Sequence, residues 1–229
     1  MISYKNLFYF DIETAGQYPD LETFKDNDKR GYDLFMKRYE RSFSKDEDSP
    51  EKVYIHYSPL FSTYGRILCL SFGYFHDKNE EGYTIKSLYN KDEKILMKEI
   101  QTLFLKVSSK HLFLSGYNIN SFDIPWLQHK LLKYEYQLPP VLRTYGRKPW
   151  ELQSADLFKE WNPAIKNLTV SFDEACYELG IPSPKEKIDG SKVHHTYWVE
   201  KDLDTVVEYC EGDVFSSLEF GKKMFEDNI

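Results

Sequence analysis

Apolar and polar positions alternate along this chain with two periods. The run Leu7-Phe8-Tyr9-Phe10 builds towards Asp11-Ile12-Glu13-Thr14 and then stops, which predicts a buried strand. Ile67–Phe75 predicts a central strand, His76–Gly82 a polar turn, and Tyr83–Leu88 its hairpin partner. His111–Tyr117 predicts a further strand and Leu152–Leu157 a last short one. Helical spacing takes over elsewhere. Tyr32, Phe35, Met36, Tyr39 and Phe43 recur within residues 28–43, after a polar, turn-rich stretch from Ala15 to Asp28. Ser44–Pro50 breaks that pattern and predicts an exposed loop. Asp92 caps a helix whose stripe is Ile95, Leu96, Ile100, Leu103 and Phe104. A helix from about Ile124 carries Trp126, Leu127, Leu131 and Leu132. Val170–Leu179 fits a short helix closed by Gly180, and Ser183–His195 a loop. The last helix runs from about Lys201 to Phe225 on Leu203, Val206, Val207, Cys210, Val214 and Leu218. Strands and a hairpin first, then strand–helix alternation, predict a mixed sheet with helices on its faces.

Length and composition narrow this picture. One α/β domain over residues 1–229 fits better than two small ones, with 25–52 as a charged helical insertion after the first strand. Hydrophobic residues are 41% of the chain and aromatics 17%, enough for a sizeable aromatic core. A formal net charge of -7 argues against coating nucleic acid by bulk charge, while leaving room for an acidic site with a basic rim. Cys69, Cys176 and Cys210 show neither zinc spacing nor a disulfide framework, and read as buried thiols in a reducing compartment. No secretory signal is evident at Met1–Asn6, and no apolar stretch is long enough to span a bilayer. A cytoplasmic protein with no membrane partner is expected.

Three short segments carry the candidate chemistry. Side chains alternate across a strand, so Asp11 and Glu13 project to one side and Ile12 to the other. Two adjacent carboxylates at a core strand end repel each other, and a divalent cation relieves that repulsion; the alternative is a strand end entering a solvated loop. Asn118-Ile119-Asn120-Ser121-Phe122-Asp123 ends a strand and starts a helix, with Asp123 where that helix begins. Taken alone, this stretch favours an ordinary N-cap, supported by Pro125. Tyr209 and Asp213 stand at i and i+4 on one face of the last helix, beside its apolar stripe. Strand ends are where open α/β sheets hold ligands.

Taken together and in this order, Asp-x-Glu, Asn-x-x-x-Phe-Asp and Tyr-x-x-x-Asp resemble the DEDD exonuclease superfamily. The tyrosine places the resemblance in the DEDDy branch; relatives with His carry it one position further upstream, where this chain has Glu208. The wording Phe-Asp-Ile-Glu-Thr, Gly-Tyr-Asn and Phe-Asp-Ile-Pro-Trp-Leu looks most like the proofreading domain of family B DNA polymerases and the stand-alone predicted 3'-5' exonucleases related to it. Asn167–Ala175, Leu179-Gly180-Ile181-Pro182 and Lys185 resemble the helix and loop ahead of the last motif. The likeness runs to about Phe220 and departs from the family in the charged segment from Lys25 to Lys52.

The resemblance implies a ribonuclease H-like α/β fold with a mixed five-stranded central sheet flanked by helices. It implies metal-dependent release of nucleoside 5'-monophosphates from 3' ends, with DNA favoured, single strands preferred, and RNA as the alternative. Two Mg2+ or Mn2+ ions suit such a reaction, because they activate water and relieve charge on the leaving oxygen. Hard cations take carboxylate oxygens, and four carboxylates form a cage without His or Cys. By resemblance Asp11, Glu13 and Asp213 hold one ion, Asp11 bridges to a second, and Asp123 supports it. Tyr209, with an ordinary pKa near 10, reads as orienting the attacking water. Thr14 and the backbone around Ile12 lie near the terminal nucleotide by resemblance. Phe122 and Asn118 are candidates for stacking and hydrogen bonding. Arg143, Arg147, Lys148, Lys166, Lys185 and Lys187 are candidate phosphate contacts. His194-His195 has no metal-ligand spacing, and no catalytic role is expected of it. A replication or repair protein is a candidate partner, and the proofreading resemblance does not by itself imply proofreading. Two further readings compete: a catalytically silent nucleic-acid-binding domain, against which the full carboxylate set counts, and a nucleotide-binding regulator, for which the phosphate-cradling glycine loop is missing.

Overall fold

The computed structural model describes residues 2–43, 48–77, 82–162, 169–182 and 188–226. Among them β1 (Leu7–Gly16), β2 (Gly65–Phe75), β3 (Tyr83–Tyr89), β4 (Phe113–Gly116) and β5 (Ser154–Asp156) form one five-stranded sheet of order β3-β2-β1-β4-β5. The pairs β1/β2 and β2/β3 are antiparallel, whereas β1/β4 and β4/β5 are parallel, so the sheet is mixed. The candidate phosphate contacts Lys166, Lys185 and Lys187 lie outside the described residues, as do parts of the predicted loops at 44–50, 76–82 and 183–195.

The central strand β1 is buried on both faces, and its alternation assigns the faces. Phe8, Phe10 and Ile12 pack with Leu96, Ile100 and Phe104 of α4 (Glu93–Ser109) and Ile124, Trp126 and Leu127 of α5 (Asp123–Lys133). On the opposite face Leu7 and Tyr9 pack with Val214 and Leu218 of the last helix (Leu203–Phe225), and Ala15 with its Val206, Val207 and Cys210. The fixed period of two therefore puts Asp11 and Glu13 on the face covered by that helix.

Two short helices precede and follow the predicted one at 28–43. α1 (Leu21–Asn27) lies in the stretch expected to be a turn, and α3 (Pro50–Tyr57) begins where only a loop was expected. Each starts on a side-chain cap: Asp20 accepts the N–H of Thr23, and Ser49 that of Lys52 with Pro50 at the first helical position. Both anchor aromatic residues. With α2 (Lys29–Ser42) between them, they enclose a second core of Phe24, Phe35, Val53, Tyr54 and Tyr64 beside the end of β1. Two stripe positions are corrected: Ile95 and Leu132 face solvent, since Leu96, Met97 and Ile100, and Trp126, Leu127 and Leu131, already fill the buried sides of their helices.

The remaining elements pack on β1, β4, β5 and the last helix. α6 (Leu157–Trp161) follows β5, and α7 (Phe172–Leu179) ends at Gly180 in the left-handed conformation its closing position requires. α8 (Val193–His195) runs into a π-helical turn at Thr196–Glu200, and α9 (Leu203–Phe225) starts on the cap of Asp202. Among the described residues no helix is long and apolar enough to cross a membrane.

Candidate active site

The site forms where β4 leaves β1. Their parallel pairing reaches only Tyr9 opposite Ser115. Gly116 then turns the chain away at φ +155°, where a side chain would strike the carbonyl of Phe10 and the Cγ2 of Ile119. Asn118 follows in the left-handed region, at φ 65°. Asp156, at the end of β5, holds this turn by accepting the N–H groups of Asn118 at 3.0 Å and Asn120 at 2.9 Å. The turn delivers Asp123 as the first residue of α5. The N-cap reading of Asp123 is corrected: the cap position is Phe122, which makes no side-chain cap bond. The Asp123 carboxylate instead accepts the N–H of Ile12 at 3.1 Å. It bonds β1 beyond the point where β4 has gone.

Asp11 and Glu13 reach the same place from β1, and α9 brings Asp213. Ligand oxygens of Asp11, Glu13 and Asp213 all lie within 4.8 Å of one another. Tyr209, one turn earlier on α9, hydrogen-bonds Asp213 through its hydroxyl. Cys210 sits between them on the helix, its Sγ 3.5 Å from Oδ2 of Asp11 and 3.4 Å from the Asp11 carbonyl. Sequence reasoning treated Cys210 as core alone. Its position between Tyr209 and Asp213 was the available signal. The roles of Asp156 and Cys210 depend on contacts across 38 and 199 residues, which no local pattern shows.

The electrostatics are those of like charges forced together. Burial pushes the Asp11 carboxyl well above its ordinary range, and Cys210, Asp123 and Asp213 push it further. Glu13 is raised by burial and then by Asp11, Asp213 and Asp123. Asp123 rises to about 7 because burial, with the charges of Asp156 and Asp213, outweighs its own N–H and that of Ile12, which favour its anion. Burial, with Asp213, Glu13 and Asp11, holds Tyr209 above the usual phenol range, so it is a neutral hydroxyl at physiological pH.

These carboxylates fit a hard divalent cation. They offer several oxygens at one point, and a bound cation would relieve the repulsion that raises Asp11 and Glu13. Histidine is not part of the cluster. His194 is buried, accepting the N–H of Gly16 at Nδ1 (3.0 Å) and facing the Pro19 carbonyl with Nε2 (3.0 Å), which is a structural role.

The candidate substrate residues differ in exposure and in partners. The N–H of Ile12 is engaged by Asp123 and its side chain is core. Thr14 is buried, and its hydroxyl donates to the Pro59 carbonyl at 2.7 Å. Asn118 and Phe122 are half-buried in the turn before Asp123, and Phe122 packs towards Trp126 with ring centroids 6.0 Å apart. Arg147 and Lys148 are exposed, whereas Arg143 is tied to the Leu138 carbonyl.

The family model for predicted 3'-5' exonucleases related to the exonuclease domain of PolB matches residues 60–219, from β2 into α9. β1, with Asp11 and Glu13, precedes that stretch. A solved family B DNA polymerase from the hyperthermophilic archaeon Pyrobaculum calidifontis matches over 95% of this chain at 16% identity, with a TM-score of 0.51. The chain spans 24% of that polymerase's length. This likeness is one of fold, and it carries the ribonuclease H-like arrangement of the mixed sheet. No curated protein matches the chain.

Proposed function

This chain belongs to the family of predicted 3'-5' exonucleases related to the exonuclease domain of PolB, and from that premise we propose that it is a metal-dependent exonuclease removing nucleoside 5'-monophosphates from the 3' ends of single-stranded DNA. The observation that carries the reading is the meeting of Asp11, Glu13 and Asp213 within 4.8 Å, with the charge of Asp123 close enough to raise the Asp11 carboxyl further. Those four would hold the divalent cations, Mg2+ or Mn2+, that such a reaction needs. When bound, the ions lower the pKa of the attacking water and offset charge on the leaving oxygen.

The protein's own groups supply position. Tyr209, a neutral hydroxyl beside Asp213, orients water by hydrogen bonding and takes no proton. The N–H of Ile12 fixes the rotamer of Asp123, so that carboxylate is set before substrate arrives. Asn118 and Phe122 line the approach of the terminal nucleotide, with Phe122 offering a ring face, and Thr14, tied to Pro59, backs it from below the surface.

All 229 residues are read as one exonuclease domain. The helices around residues 25–52 elaborate the loop after β1, and their packing on Tyr64 beside that strand supports this. A cytoplasmic setting is supported by the buried thiols of Cys69, Cys176 and Cys210. A replication or repair protein would present the 3' end.

The test is incubation with matched 3'-labelled single-stranded DNA and RNA. Labelled mononucleotide is released with Mg2+ or Mn2+ and not with chelator, faster from DNA. Faster release from RNA overturns the substrate assignment, and cleavage that ignores chelator overturns the metal site.

A further inference from the structure

A cavity with basic and hydroxyl side chains in its lining lies beside α5, beyond Asp123 along that helix. It is open, about 420 Å3 in volume, and lined by Ser62, Thr63, His129, Lys130 and Lys133. Its charge runs against the net -7 of the chain. Lys130 is 1% exposed, a placement that a lysine tolerates only with partners. Its Nζ donates to the Gly65 carbonyl and pairs with Glu93 at 3.2 Å. Glu93 is shared further: it accepts the N–H of Ile67 at 2.7 Å and the hydroxyl of Tyr134 at 2.6 Å, and lies 3.8 Å from the half-exposed Lys133. Two lysines therefore face one buried carboxylate, and the cavity is left with an excess of positive charge. Burial and the nearby Lys133 and Arg66 hold Lys130 down to about 8, against the pull of Glu93. At the rim the Ser62 hydroxyl and His129 Nδ1 are 2.8 Å apart, both polar and solvent-facing.

Position ties this cavity to the carboxylate site. Thr14, next to Glu13, bonds Pro59, and the same turn continues within a few residues to Ser62 and Thr63. On α5, His129 and Lys130 follow Asp123 by about 10 Å at ~1.5 Å rise per residue. A stacked strand advances about 3.4 Å per nucleotide, so that distance is roughly two to three nucleotides.

We propose that Ser62, Thr63, His129 and Lys133, over the buried Lys130, form a subsite for a backbone phosphate of the substrate strand, about two to three nucleotides from the 3' end. The proposal rests on the exonuclease reading above. The subsite holds the strand by charge and hydroxyl donors without reading bases, and it sets the shortest substrate that binds well.

The experiment compares a 5'-fluorescent dinucleotide with a hexanucleotide by anisotropy, with Ca2+ replacing the catalytic metal, for the wild type and for Lys133→Ala combined with His129→Ala. Both changed side chains are exposed, and matching circular dichroism and melting curves check the fold. Wild-type protein gains affinity from dinucleotide to hexanucleotide. The double variant loses about tenfold on the hexanucleotide, and its slope of log affinity against log salt falls by about one. Equal hexanucleotide affinity and an unchanged salt slope overturn the subsite while leaving the exonuclease reading intact. Wild-type protein that binds neither oligonucleotide overturns both.

Discussion

The carboxylate of Asp123 accepts the N–H of Ile12 at 3.1 Å, so an acid from the start of α5 replaces β4 as hydrogen-bond partner of β1. Substitutions at Asp123 should therefore separate structure from chemistry. Asp123→Asn keeps an acceptor for Ile12 and loses the charge. Asp123→Ala loses both and leaves a buried N–H without its partner, costing about 1–3 kcal/mol. Urea melts of metal-free protein should show Ala well below Asn in stability, with both variants inactive. Equal melts would mean that the Ile12 bond contributes nothing.

The crowded carboxylates make metal-free stability fall as pH rises. An acid whose folded pKa lies above its unfolded value takes up protons on folding, so stability is fullest below the unfolded value and is lost up to the folded one. For Asp123 that window runs from the ordinary aspartate range near 3.8 to about 7, and Asp11 and Glu13 extend the loss in the same direction. Protons and cations compete for the same oxygens. Mg2+ or Mn2+ should accordingly raise the melting temperature more at pH 8 than at pH 5. A metal effect that is the same at both values would be inconsistent with binding at these groups.

Tyr209→Phe removes the hydroxyl beside Asp213 and keeps the ring. Turnover should fall roughly 10- to 100-fold, as expected for a lost orienting bond, with the Mn2+ concentration for half-activation nearly unchanged. The wild-type rate should show no alkaline limb near 10, because burial and the surrounding acids raise the phenol above that range. Such a limb, abolished in Tyr209→Phe, would instead assign Tyr209 a proton-transfer role.

β1 is held at its far end from two sides. His194 Nδ1 accepts the Gly16 N–H, and Trp198 Nε1 donates to the Gly16 carbonyl at 2.9 Å. His194→Ala should lower unfolding stability by about 1–3 kcal/mol, since it leaves buried polar groups unpaired. Chemical denaturation measures this directly. An unchanged midpoint would show that water substitutes for the ring.

The sequence made some of this legible and concealed the rest for identifiable reasons. The alternation of Leu7–Thr14 was enough to put Asp11 and Glu13 on one face, because the period of a strand is fixed. The stripe of α9 was readable because its length repeats the period several times, and that placed Tyr209 and Asp213 together. α1 and α3 were missed because seven or eight residues give too few repeats, although Asp20 and Ser49-Pro50 were cap signals. Ile95 and Leu132 looked like core because they are apolar, yet helix rotation turns them outward. Asp156 holding the Asn118 turn, His194 holding Gly16 and Cys210 touching Asp11 are tertiary contacts, and no local period encodes them.

Carboxylates that act together on cations at a 3' end carry the proposed activity. Its most direct measurement is the product ladder of a 5'-labelled single-stranded oligonucleotide in Mn2+, with wild type beside Asp11→Asn. Wild type should shorten the strand one nucleotide at a time from the 3' end, and the variant should lose at least about 100-fold in rate while melting as a folded protein. A ladder of undiminished rate in Asp11→Asn, or none from the wild type, would contradict it.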